Sequence, residues 1–162
     1  MADREHTPVF DLISASAAET ERAGAAFAAQ LPRNAVTFVA MYGDLGAGKT
    51  AFVRGMASIL TPDASVSSPT YALVNEYRTA GTVLYHFDMY RITDEDDLLS
   101  LGFYDYFTPD RRTPTCVIAA EWCENIPYAL PEVYYRVEIQ KRDADSRRIT
   151  VCRIGAAETD VR

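Results

Sequence analysis

Lysine is almost missing from these 162 residues: Lys49 and Lys141 stand against fourteen arginines. Cysteine is scarce and odd in number, with Cys116, Cys123 and Cys152 and no C-x-x-C spacing. Neither a disulfide framework nor a zinc site is suggested by that pattern, and a reducing cytoplasm is the expected compartment. No apolar run approaches the roughly 18 residues of a membrane span, and no signal peptide opens the chain, so no membrane partner is expected. Positive charge is also short, 16 Lys and Arg against 23 Asp and Glu, for a net charge of −7. An acidic domain of this kind is a poor candidate for gripping nucleic acid unaided. No Asn-Lys-x-Asp word for reading guanine occurs, which argues against a GTPase. There are no internal repeats. The length predicts one domain over residues 1–162, with about eight loose residues at each end.

What is present is a core-forming chain, 48% hydrophobic, built around Gly43-Asp44-Leu45-Gly46-Ala47-Gly48-Lys49-Thr50. This stretch fits the phosphate-binding pattern G-x-x-x-x-G-K-[ST]. Its glycines allow backbone conformations in which successive N–H groups turn inward to phosphate oxygens. One of the two lysines falls where a flexible point charge would sit between the β- and γ-phosphates. Thr50 would offer its hydroxyl to Mg2+. The flanks agree: Val36–Tyr42 reads as a buried strand, and Ala51–Leu60 as a helix with Phe52, Met56 and Ile59/Leu60 on one face. A helix N-terminus adds about half a positive charge at the phosphates.

Before the loop, Val9–Ile13 reads as a short strand, and Ser16-Ala17-Ala18-Glu19 as a capping box opening a helix to about Leu31. That helix reads as a structural element, with its start a candidate to lie near the nucleotide. After the loop, Ser65–Thr70 is rich in hydroxyls and pinned by Pro69. Tyr71–Arg78 and Thr82–Tyr90 read as a hairpin, with His86, Asp88 and Tyr90 on one face and Val83, Tyr85 and Phe87 on the other. Thr93-Asp94-Glu95-Asp96 reads as a second capping box, starting a short acidic helix closed by Gly102. Cys116–Ala120 is an apolar strand ending in Glu121-Trp122, which is the form of a Walker B element. Val133–Lys141 and Arg147–Ile154 read as a final hairpin.

Four stretches thus carry the chemistry: the phosphate loop, Ser68-Pro69-Thr70-Tyr71, Tyr85-His86-Phe87-Asp88-Met89-Tyr90-Arg91, and Glu121-Trp122. In this order they resemble the TsaE (YjeE) family, bacterial P-loop ATPases needed for threonylcarbamoyladenosine in tRNA. The resemblance implies an α/β P-loop nucleoside triphosphate hydrolase fold, with a partly parallel central sheet extended by antiparallel hairpins and flanked by helices. It implies ATP and Mg2+ as cofactors. The nucleotide would be met by Gly43, Leu45, Gly46, Ala47, Gly48, Lys49, Thr50, Ala51, Trp122 and Arg147. The metal would be held by Thr50 and Glu121. Asp88, Lys49 and Thr70 would carry turnover: Asp88 orients the attacking water or holds a metal-bound one, and Thr70 senses the γ-phosphate or metal. Trp122 would stack on adenine, and His86 would support the Asp88 face. The implied partner is a TsaD–TsaB type complex, with tRNA reached only through it, hydrolysis slow alone and faster in the complex. This chain would not itself transfer the threonylcarbamoyl group.

Two departures stand out. Ala51 occupies a place where many phosphate loops carry a hydroxyl, leaving the α-phosphate to the backbone N–H. The loop Thr108–Thr115 is longer than is usual in the family and lies near a possible partner surface. The alternatives are a small-molecule kinase, with Arg111-Arg112 as lid arginines, and a nucleotide-gated binding module with negligible turnover.

Overall fold

A computed structural model describes residues 5–70 and 72–155. The termini expected to be loose fall largely outside these residues, as does Tyr71. Residues 5–8 do not conform to that expectation: strand β1 runs His6–Ser14, because the far strand of the last hairpin gives it a partner, with His6 opposite Ile154.

Seven strands form one sheet in the order β1-β7-β6-β2-β5-β4-β3. They are β2 (Val36–Tyr42), β3 (Val74–Thr79), β4 (Thr82–Asp88), β5 (Thr115–Glu121), β6 (Tyr134–Lys141) and β7 (Arg147–Ile154), besides β1. The inner strands β6, β2, β5 and β4 run parallel, and antiparallel pairing adds β7 and β1 on one side and β3 on the other. The apolar runs of β2 and β5 reflect burial on both faces. One face packs α1 (Ala17–Ala29) and α2 (Lys49–Leu60) through Phe27, Phe52, Val53 and Met56. The other is covered by α3 (Glu95–Ser100), a 3-10 turn at Phe103–Phe107 and two more at Cys123–Asn125 and Pro127–Ala129.

Local signals hold with small shifts. Ser16 caps α1 by accepting from the Glu19 N–H, while Glu19 returns its carboxylate to the Ala15 N–H. The second capping box sits one residue later than the pattern suggests: Asp94 is the cap, accepting from the Asp97 N–H, and Thr93 donates to the Asp97 carboxylate from outside. The buried face of α2 includes Val53 and Ala57, whereas Ile59 is exposed. Strand β4 stops at Asp88, so Tyr90 does not continue its face.

The helices α1 and α2 cross at their glycines. A Cβ at Gly55 would stand 1.8 Å from the Glu21 carbonyl oxygen, and one at Gly24 2.1 Å from that of Phe52. This close approach fixes α2, and with it Lys49 and Thr50, against the sheet.

Candidate functional site

Three of the four parallel strands, β2, β5 and β4, end side by side. Met41 lies opposite Glu121, and Glu121 opposite Asp88. The chain leaves β2 directly into the glycine loop, where Gly43, Gly46 and Gly48 hold φ of 152°, 74° and 109°. These values are open to glycine and strained for other residues. Gly48 is the N-cap of α2, whose first turn begins at Lys49. The first N–H groups of a helix lack intrahelical partners and face any anion placed there. Asp88 and Glu121 therefore look onto the phosphate loop from neighbouring strand ends. The switch of crossover direction at the C-terminal edge of β2 is where an open α/β sheet forms its crevice.

Two of the hollows beside the loop meet at Gly46–Gly48. One, of about 220 Å³, is lined by Gly46–Thr50, Ser68, Thr70, Asp88, Glu121 and Trp122. The other, of about 350 Å³, lies on the opposite flank between the start of α1 (Ser16, Thr20), Ala51 and the β6–β7 turn with Arg147. A candidate nucleotide thus has one end lined by Asp88 and Glu121 and another lined mainly by small residues, with Asp145 and Arg147 at the β6–β7 turn, joined across the loop.

In the first hollow Lys49 is 5% exposed, Glu121 6% and Asp88 8%. Lys49 Nζ donates to the Gly43 and Asp44 carbonyls. Burial holds its pKa below the ordinary lysine value, and Glu121, Glu124, Asp88 and Asp44 pull it back up. An anion entering the loop would relieve that desolvation by taking the ammonium as its partner. Asp88 Oδ1 accepts from the Tyr90 N–H at 3.0 Å, capping the turn that follows β4. The backbone reinforces the turn, since the Met89 N–H donates to the Glu121 carbonyl at 3.0 Å. Asp88 is thus a turn cap and a wall of the hollow at once. Ser68 and Thr70 share a 2.7 Å hydrogen bond between their hydroxyls. Their loop is tied to β3 by Tyr77 Oη, which accepts from the Ser67 N–H, and by Asn75, which donates to the Ser67 carbonyl.

Trp122 holds φ of +61°, directly after Glu121. A left-handed tryptophan is uncommon and points to a functional constraint. Its ring centroid lies 4.2 Å from Lys49 Nζ, and Tyr90 packs on it at 5.0 Å. The tryptophan therefore stands beside the lysine at the carboxylate end of the loop, away from the hollow at Ala51. Arg147 is spent on backbone oxygens. Its guanidinium donates to the carbonyls of Gly46 and Ala47 in the loop, and to those of Asp143, Ala144 and Ser146 in its own turn.

Sequence reasoning placed His86 only as support for a face. It is fully buried, with Nε2 2.5 Å from Glu121 Oε2. The shared face of His86 and Asp88 was a usable signal, but the register that brings both to Glu121 is a long-range property. The loop Thr108–Thr115 precedes β5, whereas Glu121 ends it. Arg111 and Arg112 accordingly lie at the far edge of the sheet, about 20 Å along the strand from the carboxylates.

A divalent cation fits this donor set. Among the described residues no cluster of three or more His, Cys, Asp or Glu side chains is arranged to hold a metal. The cleft instead offers the Thr50 hydroxyl and two carboxylates at adjacent strand ends. Magnesium is typically held this way, by one or two carboxylates with phosphate oxygens and water completing the shell.

The sequence model of the family described as threonylcarbamoyl adenosine biosynthesis protein TsaE matches residues 14–149. A Haemophilus influenzae protein named tRNA threonylcarbamoyladenosine biosynthesis protein TsaE is 45% identical over 111 residues, 68% of this chain and 66% of that one. A Bacillus subtilis protein of the same name is 37% identical over 113 residues, 70% of this chain and 67% of that one. The crystal structure of Bacillus subtilis YdiB superposes with a TM-score of 0.74 at 26% identity, covering 96% of this chain and 90% of that one.

Proposed function

The chain belongs to the TsaE family, and from that premise we propose that it is a single-domain, Mg2+-dependent ATP-binding and ATP-hydrolysing subunit serving threonylcarbamoyladenosine modification of tRNA. It acts with a TsaD–TsaB type complex and reaches tRNA through that complex. The observation that carries the reading is the row of strand ends: Asp88 and Glu121, in register, face a glycine loop that presents Lys49 and Thr50 at a helix start.

In this reading the triphosphate lies along the loop, with its γ end in the carboxylate hollow and its base toward Ser16, Thr20 and Ala51. Lys49 leaves the Gly43 and Asp44 carbonyls for the β- and γ-phosphates. Thr50 and Glu121 hold the cation, which when bound neutralises charge on the phosphoryl oxygens. Asp88 orients the water that attacks the γ-phosphate, with its turn-capping bond fixing the carboxylate. Ala51 meets the α-phosphate with its N–H. Arg147 acts through the loop: by binding the carbonyls of Gly46 and Ala47 from outside, it keeps the opposite N–H side of those peptides toward the phosphates. Trp122 touches the nucleotide at the phosphate end. The adenine stack expected from the sequence is not retained, because the ring packs on the lysine that serves the β- and γ-phosphates. Thr70, held by Ser68, meets the γ-phosphate edge and changes its contacts on hydrolysis.

The kinase alternative loses its lid, since Arg111 and Arg112 stand at the other end of β5 from the carboxylates. The reading is tested by phosphate release from ATP with Mg2+, with and without the two partner proteins. Release that rises in the complex supports it. Absent release under both conditions would leave the nucleotide-gated binding module.

A further inference from the structure

His86 is fully buried, yet one of its two ring nitrogens has no hydrogen-bond partner among the described residues. His86 lies between Ala119 of β5 and Asn75 of β3, with Leu84 two residues before it on the face that packs α2, and none of these partners its Nδ1. A leucine would fill such a position without leaving a buried polar atom unpaired. Packing therefore does not account for the histidine. Its one polar contact does: Nε2 lies 2.5 Å from Glu121 Oε2, in a pair that is 0% and 7% exposed at the side chains. An ionised carboxylate only accepts, so the ring donates.

The geometry is set by the strands. His86 is opposite Ala119, whose small side chain leaves room for the ring to lean along β5. Two residues further on, Glu121 is on the same face, beside Asp88. The ring thus takes one carboxylate oxygen from behind and leaves the other, Oε1, for the cleft.

We infer that His86 is a positioning residue for the metal ligand: by holding Glu121 Oε2 it fixes which oxygen of the carboxylate meets the cation beside Thr50. This inference rests on the reading of Glu121 as that ligand. Groups that bind a ligating carboxylate from the second layer typically alter metal affinity by about 10- to 100-fold when removed. The effect belongs to the metal and not to the nucleotide, because His86 does not line the hollow.

The test uses Mn2+ as the probe, titrated into the ADP-bound full chain and followed by the paramagnetic resonance of free Mn2+. His86→Leu should weaken Mn2+ binding by about tenfold, with ADP affinity in EDTA unchanged. His86→Gln, which keeps an amide donor near Nε2, should recover most of the loss. A general loss of structure would instead lower metal-free ADP affinity as well. Glu121→Ala separates the two levels of the claim. If it loses Mn2+ affinity while His86→Leu keeps it, the positioning role is wrong. If Glu121→Ala also keeps it, the ligand reading falls and takes this inference with it. The wild-type protein supplies a check that needs no folded variant. With only His6 and His86 in the chain, ring nitrogen resonances are assignable, and adding Mg2+ to the ADP complex should move the His86 signal. A His86 signal indifferent to Mg2+ would overturn the inference.

Discussion

The contact of Lys49 with Trp122 makes the single tryptophan a reporter on the phosphates. On the proposed reading, ADP and ATP would draw Lys49 off its loop carbonyls and so change what the indole faces. AMP has no β-phosphate to do so. Emission should therefore change with ADP, ATP and pyrophosphate, and little with AMP; an AMP response as large as that of ADP would restore the adenine stack. Lys49→Ala removes a charge-assisted contact of about 1.5–3 kcal/mol, or roughly ten- to a hundredfold in ATP affinity by calorimetry. The thiols give a prediction about burial. Desolvation pushes Cys116 up to about 11 and raises Cys123 further, while Cys152 is shifted up but partly exposed. At pH 8 about one Cys116 in a thousand would be thiolate. Mass spectrometry after brief alkylation of the native protein should find Cys152 labelled first, with Cys116 and Cys123 reacting after denaturation.

Among the elements, the crossing of α1 and α2 sets the tolerance of the site. Gly55→Ala places a methyl against the Glu21 backbone, and neither helix can yield without moving the other. Overpacking of this kind costs about 1–3 kcal/mol. A urea melt should show the lower midpoint, and ATP binding should weaken too, since α2 carries Lys49 and Thr50. A midpoint equal to wild type would mean that the helices slide apart freely. Local elements of this kind were readable from the sequence: a capping serine, a glycine loop between an apolar strand and a helix, turn residues between alternating strands. What stayed hidden is what depends on pairing. Nothing near His86 announces Glu121, which is 35 residues away in the chain. Nor does the sequence around Arg147 reveal that its donors are taken by Gly46 and Ala47. The start of β1 was missed for the same reason, since His6-Thr7-Pro8 is ordered by β7 and not by its own propensity.

For the whole molecule, the order of strands matters more than the length of any of them. Three parallel strand ends converge on one loop, while the antiparallel additions at both sides leave that edge open. The net charge of −7 agrees with a subunit that meets tRNA through a partner. On the proposed reading, Thr70 would give that partnership a state-dependent contact. Affinity for the partner complex should differ between an ATP analogue and ADP by about 1–3 kcal/mol, and Thr70→Ala should narrow the gap; four equal affinities by calorimetry would remove the switch. If the cleft hydrolyses what it binds, turnover depends on the charge of Asp88 and binding does not. Asp88→Asn keeps an oxygen to cap Tyr90 and removes the charge that orients water. Single-turnover phosphate release from ATP with Mg2+, measured in the assembled complex, should fall by about a hundredfold while the ATP dissociation constant stays within about twofold. Release at the wild-type rate from an equally well-bound nucleotide would mean that Asp88 does not orient the water.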